Sequence, residues 1–558
     1  MSGPGADPMH ALALLAALAA PWLALALTAL SRRCRGAGWL LPLAPLPALA
    51  IALLLPEGAS IKVSGLIPGI IFGLDTTGRV FLLPAALLWS IAGWYALGGG
   101  DDAPGRHRGF ATAWLLALAG SQALILAQDL LAFYTALALM TFAAYGLVIH
   151  QRTPSARAAG RLYLAMMIAG EVAMFTGVAL LAAEGGSGGS LPFAAVAETS
   201  PPALALLGLG FATKLGVLGV HAWLPRAHPV APVPASAVLS GVMIKAGLLG
   251  WWRVSETAVG AFPGLGMSLL LLGLAAAFYG VARGLLQHDP KIVLAWSSVS
   301  QMGLVTMLVG ITQISGDAAP AAWLAVALFV VHHGLNKGAL FLGAGIMKAG
   351  SPVERRLAWA ILWLPALALA GAPATSGALA KAATETAAQS LRGGEWIGAL
   401  LYLSTMATTL LMLRLLWCAR MTRAGDSVVA SGHRLAPTAI LTMIAIVLPW
   451  IWFGDTAAAA TALSVSGLWA ATWPLTLAAA VAAVGYHGWR RRSQHAPGRW
   501  RDQVSLTIVT TLQGRAHDAM VRMAAWERQL QQWSVIGRLL VGVVLFIGAV
   551  VLHESMTG

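Results

Sequence analysis

The chain has 558 residues, of which 58% are hydrophobic and 10% are charged, and its formal net charge is +14. Soluble domains carry about 25% charged residues, so the composition excludes an ordinary soluble protein. Apolar runs recur from end to end, and they predict an all-α polytopic membrane protein. The basic balance does not indicate nucleic-acid binding, because the charges are spread over short loops without the aromatic residues that stack bases.

About sixteen transmembrane helices are predicted along the chain. They lie near 9–31, 38–56, 78–99, 109–127, 129–150, 162–183, 203–224, 233–253, 266–285, 292–312, 321–347, 357–389, 396–418, 435–454, 466–487 and 535–553. The first run is followed by the basic stretch RRCR (32–35) and has no basic residue before it. This order is the reverse of a signal peptide and predicts a retained helix.

The basic residues predict the orientation of the chain. With the N-terminus outside, 27 lysines and arginines fall in inside loops, including nine arginines between Arg490 and Arg538. The outside loops hold Lys62, Arg79, Arg253 and Arg392. Cytoplasmic loops are enriched in such residues, so we expect a multi-pass protein of the cell inner membrane with both termini outside.

No sequence feature indicates a redox cofactor or a metal. Cys34 and Cys418 are isolated from each other, and an iron–sulfur cluster needs more thiolates than these. No dinucleotide fingerprint, phosphate-binding loop or zinc-protease motif is present. We therefore expect the chain to bind no haem, flavin, iron–sulfur cluster or metal.

Four of the seven lysines lie inside predicted membrane spans, whereas arginines occupy most loops. The four are Lys214, Lys245, Lys337 and Lys381. Burying such a charge costs about 3 kcal/mol or more, and a lysine, unlike an arginine, can release its proton in an apolar environment. A proton relay explains this partition, and the alternative is snorkelling or a structural ion pair, which fits the helix-end residues Lys291 and Lys348.

Few carboxylates and histidines can partner these lysines. Glu171 lies in the middle of a span, and Glu385 follows Lys381 by one helical turn. His333 and Lys337 are also one turn apart and share a helix face. A histidine titrates near neutral pH and could pass a proton between lysines. His221 could do this or simply cap a cavity, while His332 is predicted to serve packing or a water contact.

The order of the spans predicts an internal inverted repeat. Spans four to eight begin inside and spans nine to thirteen begin outside, and the fourth span of each block carries a central lysine. In the second block this span contains GAPATSG (371–377), which should break the helix. In the first block WLPRAHPVAPVP follows it. Broken helices in matching places point to ion paths at mid-membrane, although a chance match in a Gly- and Pro-rich chain is the alternative.

Three segments resemble a known membrane family. They are ATKLGVLGVHAWLPRAHPVAPVPASAVLSGVMIKAG, HDPKIVLAWSSVSQMGLV and HHGLNKGALFLGAG. They are similar to the signature segments of the antiporter-like subunits of respiratory complex I, group 4 membrane-bound hydrogenases and Mrp cation/proton antiporters. The resemblance covers roughly residues 70 to 420. It implies a fourteen-helix core with two inverted five-helix repeats and broken helices 7 and 12.

The resemblance also implies roles for single residues. Lys214 matches the family's broken-helix lysine, and Lys245 matches the lysine of the following helix. His333 and Lys337 match the central relay, and Lys381 matches the lysine of the second broken helix. The family's fifth helix normally holds a glutamate, but its place here falls near Ala138. We expect Glu171 to replace it as the partner of Lys214; otherwise the first half-channel is impaired.

The predicted organisation has six parts. They are three N-terminal spans with an outside hairpin at 57–77 (1–108), the first repeat (109–254), the second repeat (266–418), two further spans (435–487), an inside amphipathic segment (490–534) and a final span (535–553). The segment at 502–534 resembles a shortened lateral helix of the largest complex I antiporter-like subunit. An ordinary surface-lying helix is the alternative.

Three classes of function fit these features. The first is a proton-translocating subunit of a complex I-like or hydrogenase-like oxidoreductase, with other membrane and redox subunits handling the electrons. The second is a subunit of an Mrp-type antiporter, with sodium as a second candidate ion, or of a proton-coupled inorganic-carbon uptake system. The third is a membrane scaffold with a vestigial path, which the set of interior lysines argues against.

Overall fold

The computed structural model describes residues 7–30, 38–63, 70–98, 107–184, 191–194, 201–256, 259–260, 262–422 and 432–494. The amphipathic segment predicted at 490–534 lies outside these residues from 495 onward, and so does the final span predicted at 535–553. The predicted side of the C-terminus lies outside them as well.

The described chain is a helical bundle with one small hairpin. Its first half contains α1 (Pro8–Leu30), α2 (Leu40–Leu43), α3 (Leu46–Leu54), β1 (Ala59–Val63), β2 (Ile70–Leu74), α4 (Thr76–Leu97), α5 (Arg108–Leu126), α6 (Leu130–Val148), α7 (Pro154–Glu184), α8 (Pro201–Leu215), α9 (Leu224–Val230), α10 (Val233–Val238) and α11 (Lys245–Ser255). Its second half contains α12 (Pro263–Leu285), α13 (Pro290–Ile314), α14 (Ala319–Ala349), α15 (Pro352–Ala370), α16 (Ser376–Gln389), α17 (Glu395–Met421), α18 (Leu435–Phe453), α19 (Ala457–Leu463) and α20 (Val465–Gln494).

Most of these helices have the length and composition of membrane spans. Within the described ranges, twelve helices are long and apolar enough to cross a bilayer, and Leu40–Leu54 and Pro202–Leu215 are shorter apolar helices. The prediction of a polytopic all-α membrane protein is confirmed. The total of sixteen spans, the inverted repeat and the six-part division stay predictions.

Several of the scarce acidic residues begin helices. Asp129 caps α6 by accepting from the N–H groups of Leu131 and Ala132 at 3.1 and 2.8 Å. Ser351 and Glu354 form a capping box at the start of α15. Such caps satisfy backbone N–H groups that have no partner within the helix. The carboxylates used in this way serve the fold.

Helices α12 and α13 pack backbone against backbone. A Cβ atom at Gly303 would lie 2.6 Å from the carbonyl oxygen of Gly273. Small residues allow this close approach where lipid provides no hydrophobic driving force. Helix α13 carries the Leu294 carbonyl, which accepts a hydrogen bond from Lys337.

Two helical spans are interrupted. The helix α8 ends at Leu215 and α9 begins at Leu224, while α15 ends at Ala370 and α16 begins at Ser376. Gly371 ends α15 with a φ of +79°, which a glycine adopts without strain. The break predicted at GAPATSG is confirmed. Both interruptions lie next to a lysine, the buried Lys214 at the end of α8 and the half-buried Lys381 near the start of α16.

A third irregularity was not predicted. Between α10 and α11 the backbone forms a π-helical turn at Leu239–Met243. Turns of this kind leave carbonyl groups without their ordinary helical donors and often occur at functional sites. A Cβ atom at Gly241, inside the turn, would lie 2.7 Å from the carbonyl oxygen of Gly334. The turn is therefore pressed against the middle of α14.

The hairpin predicted at 57–77 is confirmed as an antiparallel pair. Strand β1 pairs with β2 from Ala59 opposite Leu74 to Val63 opposite Ile70. The Asp129 carboxylate, besides capping α6, accepts from the Ile71 N–H at 2.8 Å. This bond ties the hairpin to the bundle.

Candidate functional site

The four interior lysines lie on different elements of the bundle. Lys214 is at the end of α8, Lys245 begins α11, Lys337 is central in α14 and Lys381 is in α16. The first three are at most 4% exposed, and Lys381 is half-buried at a cavity. All four lie among the packed helices of the fold, Lys214 and Lys245 at helix ends and Lys337 and Lys381 within helices.

Lys214 is held by a hydroxyl group. Its Nζ donates to Thr141 Oγ1 at 2.6 Å and lies 3.7 Å from the Met167 sulfur. The Tyr163 ring lies beneath the amine, with 6.0 Å from Nζ to the ring centroid. Thr141 in turn donates to the Leu137 carbonyl at 2.9 Å. The hydroxyl is therefore oriented to accept from the lysine.

Glu171 is near Lys214 but is not in direct ionic contact with it. Ion pairs within 4.0 Å occur in the described chain at Asp7, Glu57 and Asp75, and no such pair joins Glu171 to Lys214. The buried Glu171 carboxylate interacts electrostatically with Lys214 and with the Thr141 hydroxyl. Its Oε1 has no hydrogen-bond partner among the described residues. The carboxylate therefore lies near both the amine and Thr141, while the single O–H of Thr141 is donated to the Leu137 carbonyl.

Thr141 is a site residue that the sequence analysis missed. The expected glutamate of the fifth helix was placed near Ala138, and Thr141 lies about one turn further along α6. The available signal was a threonine within the apolar run around Met140 and Phe142. A hydroxyl looks like a tolerated polar residue in a span, so its role becomes visible only when α8 is packed against α6 and α7.

Lys245 is held by the π-helical turn. Its Nζ donates to the Gly241 carbonyl at 2.6 Å and to the Ser240 carbonyl at 3.4 Å. It also lies close to Gly334, since a Cβ atom there would be 3.4 Å from Nζ. The turn thus supplies the oxygen atoms that a buried amine needs. It brings Lys245 to Gly334 in the middle of α14, one residue after His333 and two after His332.

His333 and Lys337 lie one helical turn apart in the middle of α14. Lys337 is fully buried, and its Nζ donates to the Leu294 carbonyl of α13 at 2.8 Å. His333 is also fully buried, and neither ring nitrogen has a partner among the described residues. The charges of Lys245 and Lys337 both act on His333. An unpartnered buried imidazole between two amines has the chemistry of a proton carrier.

His332 contacts the second break instead of serving packing alone. Its Nδ1 lies 2.9 Å from Ser376 Oγ, at the first residue of α16, and 3.2 Å from Asn336 Nδ2. The charges of Lys381 and Lys245 act on this ring. His332 therefore links α14 to α16. The sequence missed this because the partner, Ser376, lies on a helix that begins only after the break.

Lys381 and Glu385 line one cavity. Lys381 donates to the Ala370 carbonyl at the end of α15, across the break. Glu385 does not pair with it directly and accepts from the Tyr402 hydroxyl at 2.7 Å. The cavity measures about 850 Å³ including its mouth, and Gln301, His332 and Thr408 also line it. It is wide enough to hold water next to both titratable groups.

His221 lies apart from the lysines. Its ring contacts Tyr279 and Trp296 at centroid distances of 5.5 and 5.6 Å. Its Nδ1 accepts from the Gly219 N–H at 3.3 Å, and the charge acting on it is that of Arg283. His221 is therefore packed against aromatic rings of α12 and α13, and both of its predicted roles, proton transfer and capping of a cavity, stay predictions.

His228 is a further histidine that the sequence analysis did not single out. It is fully buried in α9 and stacks on Phe341, with ring centroids 4.7 Å apart. Neither ring nitrogen has a partner in the described part of the chain, and the charges of Lys291 and Lys337 act on the ring. Lys291 donates to the Ala231 carbonyl at 2.5 Å, so this lysine is anchored to the segment after α9.

The lysines share one chemical feature. Each amine of the four donates to a neutral oxygen, either a hydroxyl or a backbone carbonyl. Such an oxygen accepts a hydrogen bond from an ammonium group or from a neutral amine alike. Loss or gain of a proton therefore leaves the bond in place. In the described chain no group of three or more histidine, cysteine or acidic residues is arranged to hold a metal.

Comparisons with known proteins agree on one family. The family profile described as NADH:quinone oxidoreductase/Mrp antiporter, TM matches residues 127–410. An uncharacterised protein of Mycobacterium tuberculosis (strain CDC 1551 / Oshkosh) is 36% identical over 227 residues, which are 39% of this chain and 36% of that protein. Hydrogenase-4 component B of Escherichia coli (strain K12) is 32% identical over 286 residues, which are 47% of this chain and 42% of that protein. The chain thus spans less than half the length of these relatives.

A solved structure shares the fold. The structure of the Mrp complex from Dietzia sp. DQ12-45-1b contains a chain with a TM-score of 0.68 and 21% identity, covering 84% of this chain and 100% of that chain. This structural match covers more of the chain than the family profile, which matches residues 127–410. It establishes the same arrangement of helices.

Proposed function

This chain belongs to the NADH:quinone oxidoreductase/Mrp antiporter family of transmembrane proteins, and we propose that it moves protons through its buried lysines, histidines and acids. The observation that carries the proposal is the neutral oxygen partner at every interior lysine. A lysine serving a structural ion pair would face a carboxylate, and loss of its proton would break the pair. These lysines keep their hydrogen bonds in either state.

Electrostatic contacts link Lys214 with Glu171, Lys245 with His333 and Lys337, and Lys381 with His332, and the proposed route joins these groups. It begins at Lys214 with Glu171, passes Lys245, and continues through His333 and Lys337. His332 and Ser376 then lead to Lys381 and Glu385. Water is required between successive groups, because no two of these titratable side chains are directly hydrogen-bonded in the described residues, and the cavity at Lys381 has room for it.

In this proposal the Glu171 carboxylate controls when Lys214 releases its proton. The carboxylate and the amine lie near each other without a direct bond, and in the proposal a side-chain rotation closes or opens a direct pair. A closed pair holds the proton on the lysine, and an open pair releases it toward Lys245.

The proposed setting is a multi-subunit membrane complex. A relative is named as a hydrogenase component, and the structural match is part of an Mrp complex. We propose that this chain works with other membrane subunits, that electrons in a redox assembly are carried by other chains, and that protons are the ion moved. The family contains bacterial inner-membrane subunits, and we propose the same membrane here, with both termini on the outside.

Replacement of single lysines tests the proposal. We expect Lys214→Met, Lys337→Met and Lys381→Met each to abolish coupled proton movement, measured by dye quenching in membrane vesicles containing the assembled complex. Lys62→Met is the matched control, because Lys62 is an exposed residue of β1. Normal proton movement in all three variants would show that the chain is a scaffold with a vestigial path.

A further inference from the structure

One end of the bundle contains a wide cleft whose charged lining residues are all basic. It lies between the end of α4, the start of α5, the α6–α7 connection, the start of α10 and the end of α14, and it measures about 1730 Å³ including its open mouth. Its basic lining residues are His107, Arg108, His150, Arg152, Lys348 and Arg434. No aspartate or glutamate is among the lining residues of this cleft in the described chain.

One guanidinium group of the cleft, that of Arg434, and the backbone at Arg152 are held in place by hydrogen bonds. Arg434 donates from Nε and Nη2 to the Gly98 carbonyl at 3.0 and 2.8 Å, which leaves Nη1 outside both bonds. Arg152 has a φ of +54°, and its N–H donates to the Ile149 carbonyl at 2.8 Å. The Arg157 side chain donates to the Arg152 carbonyl at 3.1 Å. These bonds hold the backbone of Arg152 in the left-handed region, which a residue other than glycine adopts only when its surroundings stabilise it.

A buried hydroxyl on the wall of the cleft has no partner. Tyr95 is 3% exposed and lines the cleft, and its hydroxyl forms no hydrogen bond with the described residues. A Cβ atom at Gly345 would lie 2.6 Å from this oxygen, so a glycine makes room for it. The Glu354 carboxylate also acts on Tyr95, but it accepts from the Ser351 N–H in the capping box of α15.

We propose that this cleft binds a phosphate group, carried by an anionic phospholipid headgroup or by a soluble phosphate compound. Guanidinium groups match phosphate oxygens in charge and in geometry, and lysine adds a further positive charge. The Tyr95 hydroxyl supplies a neutral donor to the same anion. Basic pockets between transmembrane helices at a membrane surface recognise lipid headgroups in this way.

The first test measures lipid retention by the full chain. The wild-type protein is placed in nanodiscs that contain phosphatidylcholine and phosphatidylglycerol, and bound lipid is counted by native mass spectrometry. We expect selective retention of phosphatidylglycerol, and a decrease of about tenfold in the Arg152→Gln/Lys348→Gln variant. Tyr95→Phe should reduce retention by a smaller factor, since it removes one neutral donor.

A matched variant controls for net charge. Arg161→Gln/Arg356→Gln removes two positive charges from exposed residues that do not line the cleft. It should retain phosphatidylglycerol as the wild type does. Size-exclusion elution and thermal unfolding establish that each variant is folded, and Tyr95→Phe provides a second reading if the double variant unfolds.

A second experiment distinguishes a soluble phosphate compound from a lipid headgroup. Equilibrium dialysis of labelled inorganic phosphate against the protein in purely zwitterionic nanodiscs detects a soluble ligand. Binding that depends on Arg152 and Lys348 in this arm, with no lipid preference, assigns a soluble phosphate compound. Lipid preference without phosphate binding assigns a headgroup. If the wild type and the Arg152→Gln/Lys348→Gln variant retain equal amounts of both ligands, the proposal is wrong.

Discussion

Single residues explain how ammonium groups exist inside a membrane bundle. Lys214 binds a hydroxyl, Lys245 binds carbonyls freed by a π-helical turn, and Lys337 binds the Leu294 carbonyl. An unpartnered buried charge is costly, and each of these oxygens reduces that cost without fixing the protonation state. This is the difference between a relay and a set of ion pairs.

Removal of the Thr141 hydroxyl should impair the first lysine. Thr141→Val keeps the shape of the side chain but leaves the Lys214 amine without its 2.6 Å acceptor. We expect proton movement in vesicles to fall about tenfold or more, since loss of a bond to a charged group costs about 1.5–3 kcal/mol. Thr141→Ser should retain most of it. Thr176→Val, on the exposed face of α7, is the control; equal rates in Thr141→Val and this control would remove Thr141 from the path.

Glu171 gives a separate prediction. Glu171→Gln removes the charge that acts on Lys214, and we expect slower proton movement, with partial recovery in Glu171→Asp. The same vesicle assay compares the three proteins. A glutamine variant that transports at the wild-type rate would mean that the carboxylate does not gate Lys214.

The basic cleft should bind its anion more tightly at acidic pH. Burial, together with the nearby His107 and Arg152, lowers the pKa of His150 from 6.5, so the ring is neutral at neutral pH. Without a ligand, lowering the pH reduces the free energy of unfolding, because the unfolded chain protonates His150 more readily than the folded chain does. A bound phosphodiester remains anionic and favours the protonated ring, so the ligand should bind more tightly at acidic pH.

This pH dependence is measurable with phosphatidylglycerol nanodiscs. Retention should increase between about pH 7.5 and about pH 5.5, and His150→Gln should flatten the increase. The other groups facing this ring are Phe110 and the basic residues of the cleft. An unchanged slope in His150→Gln would contradict the role assigned to this ring.

Three departures from regular helix position the site at the scale of elements. The break between α15 and α16 places Lys381 beside the Ala370 carbonyl, and the π-helical turn places Lys245 beside the Gly241 carbonyl. The break between α8 and α9 leaves Lys214 at the end of a helix, where it donates to Thr141. The regular helices around them pack tightly enough to hold these irregular segments away from lipid. Non-helical backbone is tolerated at membrane depth only in such surroundings.

Close packing of α12 against α13 makes a prediction about stability. Gly303→Ala would bring a Cβ atom to 2.6 Å from the Gly273 carbonyl, so one helix must shift. We expect the free energy of unfolding to fall by about 1–3 kcal/mol, measured by thermal or denaturant unfolding in detergent. Gly398→Ala in α17 is the control, because nothing lies within 4 Å of its Cβ position. That substitution should be neutral or slightly stabilising, and equal losses in both would contradict the packing account.

The sequence predicts those elements that depend on local signals. Apolar runs predict the spans, GAPATSG predicts the second break, and the spacing of His333 and Lys337 predicts a shared face. The π-helical turn has no comparable signal, since LSGVM reads as ordinary helix. Thr141, His332 and His228 were missed because their roles depend on contacts with other helices, Lys214 and Ser376 among them, that no local pattern encodes.

The described bundle has a series of titratable side chains in its interior and a basic cleft at one end. The interior groups run from Lys214 in the first half to Glu385 in the second, through the central helix α14. The basic cleft opens at the end where α5 begins and α14 ends. By the positive-inside rule we expect this end to face the cytoplasm, which would place the proposed headgroup site in the cytoplasmic leaflet.

The central claim is that the interior lysines change protonation state during transport. Lys337→Arg tests it most directly, because arginine keeps the positive charge and the capacity to donate to the Leu294 carbonyl but cannot release its proton. The measurement is proton movement by the assembled complex in vesicles, with Lys62→Arg as the matched control. The account predicts that Lys337→Arg is as inactive as Lys337→Met while Lys62→Arg is normal. Restored proton movement in Lys337→Arg would contradict it and would show that position 337 requires only a fixed charge.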